Sequence, residues 1–327
     1  MKNHALFNTI HTFTQNHDLL PAGTTVVMGL SGGPDSLFLL HYLSPLHTAG
    51  SIKLIAAHLD HAWRPESASE VIFCQQAADN LGIPFVHARL PELPFSAPLS
   101  GAKEEVGRKA RRFFLEKVAR EYDAERIALA HHAQDQQETF FIRLLRGATL
   151  TGLTGMEPHQ GLYIRPLLHC NKADILAFLQ ENKIHYLTDP SNESPLFLRN
   201  RIRSTVIPAL RSCDTRFDKN FLTTLGRLQK TEQFLETLAQ QTLTQISSLE
   251  AGTTYLDLGA LRTTHLVLQY RVVLAWLCQE KLPFQPTQTF LDELLRFLLS
   301  PRGGTHTVHT SWRLVKKGKT AWLEKRP

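Results

Sequence analysis

Cysteine is scarce in this 327-residue chain: Cys74, Cys170, Cys213 and Cys278 are far apart and form no CxxC pair. That spacing argues against a disulfide framework, a zinc ribbon or an iron–sulfur site, and for a reducing cytosol. Long apolar runs are missing too. Residues 1–18 alternate polar with apolar side chains, so they read as an amphipathic helix presenting Ala5, Leu6, Ile10 and Phe13, not as a signal peptide or membrane span. A cytoplasmic protein with no membrane partner is the expectation. The Walker loop GxxxxGK and the dinucleotide fingerprint GxGxxG are both absent, which excludes the two commonest phosphate-binding turns. What remains is an ordinary globular composition, 43% hydrophobic and 20% charged, in a chain long enough for two domains.

The most informative stretch is Thr24 to Ser36, TTVVMGLSGGPDS. Val26, Val27, Met28 and Leu30 suit a strand buried on both faces. Ser31-Gly32-Gly33-Pro34-Asp35-Ser36 is a turn, and Leu37, Phe38, Leu39, Leu40 and Leu43 follow at helical spacing. A strand, a glycine turn and a helix start together make an anion site, because the backbone can approach closely and the first helical N–H groups have no partner in the helix. The serines add hydroxyls. Asp35 adds a carboxylate where a phosphate-bound cation would sit.

Further strands are read at 52–59, 85–90 and 126–130, alternating with helices at 67–82, 102–122 and 135–146. This alternation predicts an α/β fold: a parallel Rossmann-like sheet with helices on both faces and a site at the strands' carboxyl ends, where Ser31, Asp60 and His132 all fall. Pro91 to Ser100 reads as a loop. Another helix is capped by Asn171, and a basic helix over Arg199 to Leu210 stops near Pro208. From about Thr215 the pattern changes to long amphipathic helices (217–248, 261–280, 288–299) and two strand-like runs about Lys316-Lys317-Gly318-Lys319. The expected domains are therefore 1–214 and a smaller, mainly helical 215–327 ending in a basic hairpin.

His58-Leu59-Asp60-His61-Ala62-Trp63-Arg64 closes the second strand. Zinc there is disfavoured, since strand residues alternate faces and no fourth ligand has the usual spacing. In His131-His132-Ala133-Gln134-Asp135-Gln136-Gln137-Glu138-Thr139, Asp135 and Glu138 share a helix face, with Phe140, Phe141, Leu144 and Leu145 expected to cover the opposite one. Positive charge is polarised: residues 199–230 hold eight Lys and Arg against Asp214 and Asp218, and the tail from Pro301 holds seven against Glu324. Such clustering suits a polyanion such as nucleic acid.

SGGxDS between a buried strand and an apolar helix resembles the PP-loop of the N-type ATP pyrophosphatases. With HLDHAWRPES, EEVGRKARRFF, HHAQDQQETFFIRLLRGATLTGLTGM, RPLL and DPSN followed by RNRIR, in that order from Val26 to Leu210, the chain resembles the bacterial tRNA(Ile)-lysidine synthetase family, in a short form with one appended domain. The resemblance implies ATP-dependent adenylation of carbon 2 of the wobble cytidine in a CAU-anticodon tRNA(Ile), followed by attack of free L-lysine. It implies ATP and Mg²⁺ as cofactors, with Ser31, Gly32, Gly33, Pro34, Asp35, Ser36 and His58 holding nucleotide and Asp35 and Asp135 the metal. Asp35, Asp60, His132, Asp135, Glu138, Arg108 and Arg111 would carry the chemistry, and Arg64, Arg199, Arg201 and Arg203 would bind tRNA. A homodimer stays open.

Two departures from the family pattern stand out. Gln134 replaces the first of two adjacent aspartates, and Arg112 stands where an aromatic is common. Rival readings are a tRNA thiolase of the same superfamily, disfavoured by the missing CxxC, an amidating ligase, disfavoured by the missing amidotransferase domain, and a catalytically silent RNA-binding protein, disfavoured by the intact carboxylates.

Overall fold

The computed structural model describes residues 2–63, 67–95, 101, 103–188, 197–284 and 286–326; Arg64, the DPSN motif at 189–192 and residues 96–100 of the Pro91 to Ser100 loop lie outside them. The chain forms two units, 1–225 and 226–327. The first contains α1 (Lys2–Asn16), β1 (Thr25–Gly29), α2 (Pro34–Thr48), β2 (Lys53–Asp60), α3 (Ser67–Asp79), β3 (Phe85–Arg89), α4 (Lys103–Glu121), β4 (Arg126–Ala128), α5 (Ala133–Leu145), α6 (Leu150–Leu153), β5 (His159–Gln160), β6 (Tyr163–Ile164), α7 (Lys172–Glu181), α8 (Leu198–Arg201) and α9 (Ile207–Cys213). Helix α10 (Phe217–Ile246) runs on into the second unit.

The sheet order is β3-β2-β1-β4-β6-β5, parallel except for the edge pair β5–β6. Strand β1 is central because Val26, Val27 and Met28 are apolar on both faces, and all three are fully buried. Helix α2 is buried along most of its length, from Ser36 to Ser44. On its side of the sheet, Phe7 of α1 packs against Phe38, Tyr42 and Phe178. Ile10 and Phe13 are buried as the amphipathic reading expects, while Ala5 is exposed. Ala110, Phe114, Leu115 and Val118 of α4 cover the other face with Val27 and Ile127.

The basic helix does not stop at Pro208. A five-residue π-helical stretch, Ile202–Val206, joins α8 to α9, so Pro208 occupies the first turn of α9, where a missing N–H costs little.

The second unit holds β7 (Ser247–Glu250), β8 (Thr253–Asp257), α11 (Leu258–Thr263), α12 (Leu266–Gln279), α13 (Gln288–Leu299), β9 (Gly304–His309), β10 (Trp312–Lys317) and β11 (Thr320–Lys325). Its five strands form an antiparallel sheet in the order β7-β8-β11-β10-β9. Helix still outweighs strand in the unit, as the periodicity indicates, but the terminal hairpin is one part of this larger sheet. Trp276, Leu294, Leu298 and Leu314 are fully buried in its core. Lys316, counted among the basic tail, is buried, and its Nζ donates to the Phe297 and Ser300 carbonyls at the end of α13. Lys317, Lys319, Lys325 and Arg326 remain exposed.

Candidate active site

The turn after β1 is prefolded by its own hydroxyls. Ser36 Oγ donates to the Gly33 carbonyl at 2.9 Å, the Ser31 and Ser36 hydroxyls lie 3.1 Å apart, and Ser31 N–H donates to Ser36 Oγ at 3.2 Å. Gly32 has φ +76°, and a Cβ there would stand 2.8 Å from Leu187 Cδ1 and 3.2 Å from Cys74 Sγ, so conformation and space both demand glycine. Gly33 caps α2 with no side-chain hydrogen bond, and Pro34 follows in the first turn. The initial N–H groups of α2 therefore face an anion site without side-chain competition.

Asp35 projects from this turn. Lys172 Nζ donates to its Oδ1 at 2.6 Å, and His132 Nε2 is 3.6 Å from its Oδ2. Burial would raise the Asp35 pKa, but His132 and Lys172 together hold it below the ordinary carboxylate value. His132 caps α5: its Nδ1 accepts from Gln134 N–H at 3.2 Å while its own N–H donates to Asp135 Oδ2 at 2.9 Å. With Nδ1 accepting, neutral His132 carries its proton on Nε2, between Asp35 and Asp135 Oδ2, the latter 3.5 Å away.

Helix α5 inverts the expected burial. Ala133 to Glu138 are all buried, whereas Leu144 and Leu145 are 48% and 66% exposed. Most of the buried polar groups have partners: Gln136 bonds to both the N–H and the carbonyl of Met156, and Gln137 Nε2 donates to Asp218, while Gln137 Oε1 has no partner among the described residues. Asp135 Oδ1 pairs with Arg199 Nη2 at 2.6 Å. Glu138, wholly buried, accepts from Arg199 Nε and Arg203 Nε, each at 2.5 Å. Arg199 and Arg203, read from the sequence as hands for tRNA phosphate, thus spend guanidinium groups on the site's own carboxylates, because a buried carboxylate requires a cation. Arg201 is exposed. Burial would raise the Asp135 pKa, but His132, His131 and Arg199 hold it at about 2.

Asp60 anchors a second cluster at the end of β2. Its Oδ1 accepts from Ala62 N–H at 2.7 Å and its Oδ2 from Arg89 Nε at 3.3 Å. His61 stacks on Trp63, with ring centroids 4.5 Å apart, and lies 3.3 Å from Arg111 Nη2. Arg108, on the same helix as Arg111, is exposed. A cavity of about 810 Å³ opens here, lined by Asp60, Trp63, Ile72 and Arg89 among others. His58 Nδ1 lies 2.9 Å from the Leu30 carbonyl, so it donates, and the buried Nε2 is left as an acceptor with no partner among the described residues.

The two departures have structural accounts. Gln134 Nε2 donates to Asn171 Oδ1 at 2.8 Å and its Oε1 accepts from Lys172 N–H at 2.9 Å, so it ties the start of α5 to the start of α7. Arg112 pairs with Glu116 at 2.9 Å and sits over the Tyr163 ring, while Tyr163 hydroxyl donates to the same carboxylate. Sequence reasoning missed Lys172 altogether. Its only local signal is a position one residue after the Asn171 cap.

Burial depresses the His131 pKa to about 4. The unfolded chain, whose His titrates near 6.5, therefore takes up a proton that the folded chain refuses between pH 6.5 and 4, and stability drops as pH falls through that window. At pH 5 the loss from this group is expected to be on the order of 1–2 kcal/mol. The urea midpoint should fall between pH 7.5 and 5, and fall less in His131→Gln. An equal fall in both proteins would show that another group dominates.

A family model described as the PP-loop domain matches residues 4–210. The tRNA(Ile)-lysidine synthase of Bacillus thuringiensis is 32% identical over 297 residues, spanning 88% of this chain and 62% of that protein. The protein of the same name from Bacillus subtilis is 34% identical over 250 residues, spanning 75% and 53%. The chain thus aligns with only 62% or less of these two relatives' length. Among solved structures, a U34-tRNA thiolase from Methanococcus maripaludis with its 4Fe–4S cluster superposes with a TM-score of 0.60 at 19% identity, covering 69% of this chain and 78% of that one, a likeness of fold alone. With its parallel sheet, SGGPDS turn and matched residues 4–210, the chain belongs to the PP-loop domain family.

Proposed function

We propose that the chain ligates free L-lysine to carbon 2 of the wobble cytidine of a CAU-anticodon tRNA(Ile), with ATP and Mg²⁺. The carrying observation is the joining of the PP-loop to an acidic cluster: His132 lies between Asp35 and Asp135, Arg199 ties Asp135 to Glu138, and Lys172 pairs with Asp35. In the first step the cytidine O2 bonds to the α-phosphorus of ATP and pyrophosphate departs. In the second the lysine ε-amine bonds to carbon 2, AMP departs with the O2 oxygen, and the amine loses its extra proton.

Ser31, Gly32, Gly33, Pro34 and Ser36 would hold the phosphates, and the unpartnered His58 Nε2 would accept from a nucleotide N–H. Among the described residues no three His, Cys, Asp or Glu side chains converge on a metal point. Mg²⁺ bound by one or two carboxylates plus phosphates needs no such group. Asp35, whose side chain is 28% exposed, fits that duty better than Asp135, which is 11% exposed and paired with Arg199 and the His132 backbone N–H. When bound, the ion would offset charge on the departing pyrophosphate.

His132, whose Nε2 lies 3.6 Å from Asp35 and 3.5 Å from Asp135, would keep the two carboxylates apart and oriented. Asp135, ionised at any working pH, attracts a cation such as the lysine ammonium. Asp60 lines the cavity, where the anticodon loop would enter, and Arg111, which lies against His61, and the exposed Arg108 of the same helix would meet its phosphates. Arg201 and the exposed lysines of the second unit would hold tRNA backbone, as clustered cations do. A homodimer is compatible with this reading, and no step needs one.

Radiolabelled lysine, ATP, Mg²⁺ and an in vitro transcript of the CAU-anticodon tRNA(Ile) test it. ATP-dependent labelling of the transcript is expected. ATP cleaved to AMP without labelling would keep the PP-loop and move the acceptor to another nucleophile.

A further inference from the structure

Lys172 lies 137 residues from Asp35 in sequence, yet its ammonium is 2.6 Å from the Asp35 carboxylate. Three linked contacts bring it there. Asn171 caps α7 through Ala173 N–H, Gln134 donates to that same Asn171 oxygen, and Gln134 Oε1 accepts the Lys172 N–H. The start of α7 is thereby fastened to the start of α5, beside His132. A long lysine held this way at its backbone and reaching a carboxylate in the PP-loop is more construction than a stability pair needs, since an ion pair still open to water contributes about 0–1 kcal/mol. Both side chains stay reachable, at 29% and 28% exposure.

The electrostatics point the same way. The Asp35 carboxylate beside the open N–H groups of α2 would repel a triphosphate unless a cation accompanies it. Lysine supplies a compact charge with three donors on a flexible stem, able to turn from a carboxylate to a phosphate oxygen a few ångströms away.

We propose that Lys172 is a binding residue for the ATP polyphosphate and that Gln134 is its positioning residue. This rests on the ATP reading above. Lys172 rests on Asp35 and exchanges it for phosphate as nucleotide enters, so it contributes most when divalent metal is scarce.

The test is equilibrium binding of ATP and of adenosine by calorimetry, in EDTA and in Mg²⁺, to the full chain. Lys172→Gln should weaken ATP about tenfold in EDTA and less in Mg²⁺, with adenosine affinity unchanged, because a charge-assisted hydrogen bond is lost and the nucleoside pocket is not touched. Lys172→Arg should keep most of the affinity. Gln134→Leu should weaken ATP by a smaller factor, and the double variant Gln134→Leu/Lys172→Gln should bind no worse than Lys172→Gln alone, as residues acting through one group do. Equal ATP affinity in Lys172→Gln and wild type would overturn the inference, as would a matching loss of adenosine. If the wild type binds ATP and labels tRNA while Lys172→Gln is unaffected, the inference fails and the function stands. If the wild type binds no ATP, both fail.

Discussion

Asp35→Ala is expected to lower ATP–pyrophosphate exchange by about 10³-fold or more, the scale at which losing one preorganised charge at a reacting phosphate is felt. Three consequences of one substitution add up. The carboxylate proposed for the metal disappears, Lys172 loses the anion 2.6 Å away, and His132 Nε2 loses one of the two carboxylates beside it. Asp35→Asn separates charge from shape. It keeps an oxygen for Lys172 but no negative charge, so it should fall within a few-fold of Asp35→Ala. The fold should hold in both variants, because the Asp35 side chain is 28% exposed and the hydroxyl network of Ser31, Ser36 and Gly33 does not include it. Retention of a tenth of wild-type exchange in Asp35→Ala, with unchanged circular dichroism, would remove Asp35 from the chemistry.

The parts of this site that could be read from sequence are those written in adjacent residues. Val26 to Leu30 declare a central strand, Gly32 a positive φ, and Leu37 to Leu43 a buried helix, so the PP-loop is legible within a single stretch. The ion pairs are not. Lys172 meets Asp35 and Arg203 meets Glu138 across 137 and 65 residues, and no periodicity encodes such meetings. Helix α5 misleads for a related reason. Gln134 to Glu138 read as a polar face open to the crevice until partners arrive from Asn171, Lys172, Arg199 and Asp218, whose bonds make burial tolerable. In the second unit, Ser247 to Asp257 escaped notice because the hairpin follows a thirty-residue helix directly and turns through Ala251 and Gly252, at φ 48° and 80°, without the Asn-Gly that usually announces such a turn.

Glu138→Gln should lower the unfolding free energy by about 2–3 kcal/mol, and so the Tm of the first unit by roughly 4–10 °C. The carboxylate is wholly buried and receives two guanidinium groups, so its removal takes from Arg203 the carboxylate it meets and leaves Arg199 with Asp135. Breaking a pair buried on both sides costs about 3–5 kcal/mol, but Arg199 and Arg203 are 34% and 44% exposed and water recovers part of the loss. The cause is then uncompensated positive charge, which makes a specific claim about a second substitution. Arg203→Gln removes one of the surplus cations, so Glu138→Gln/Arg203→Gln should be more stable than the sum of the two single losses by 1 kcal/mol or more, within the usual range for residues in contact. Because Glu138 also fastens α5 to the Leu198–Val206 stretch, Glu138→Gln should depress lysine transfer to tRNA more than ATP–pyrophosphate exchange, which depends on Asp35. Strict additivity of the two substitutions would sink the charge argument and leave Glu138 a packing residue, and equal loss of both reactions would make it part of the nucleotide site.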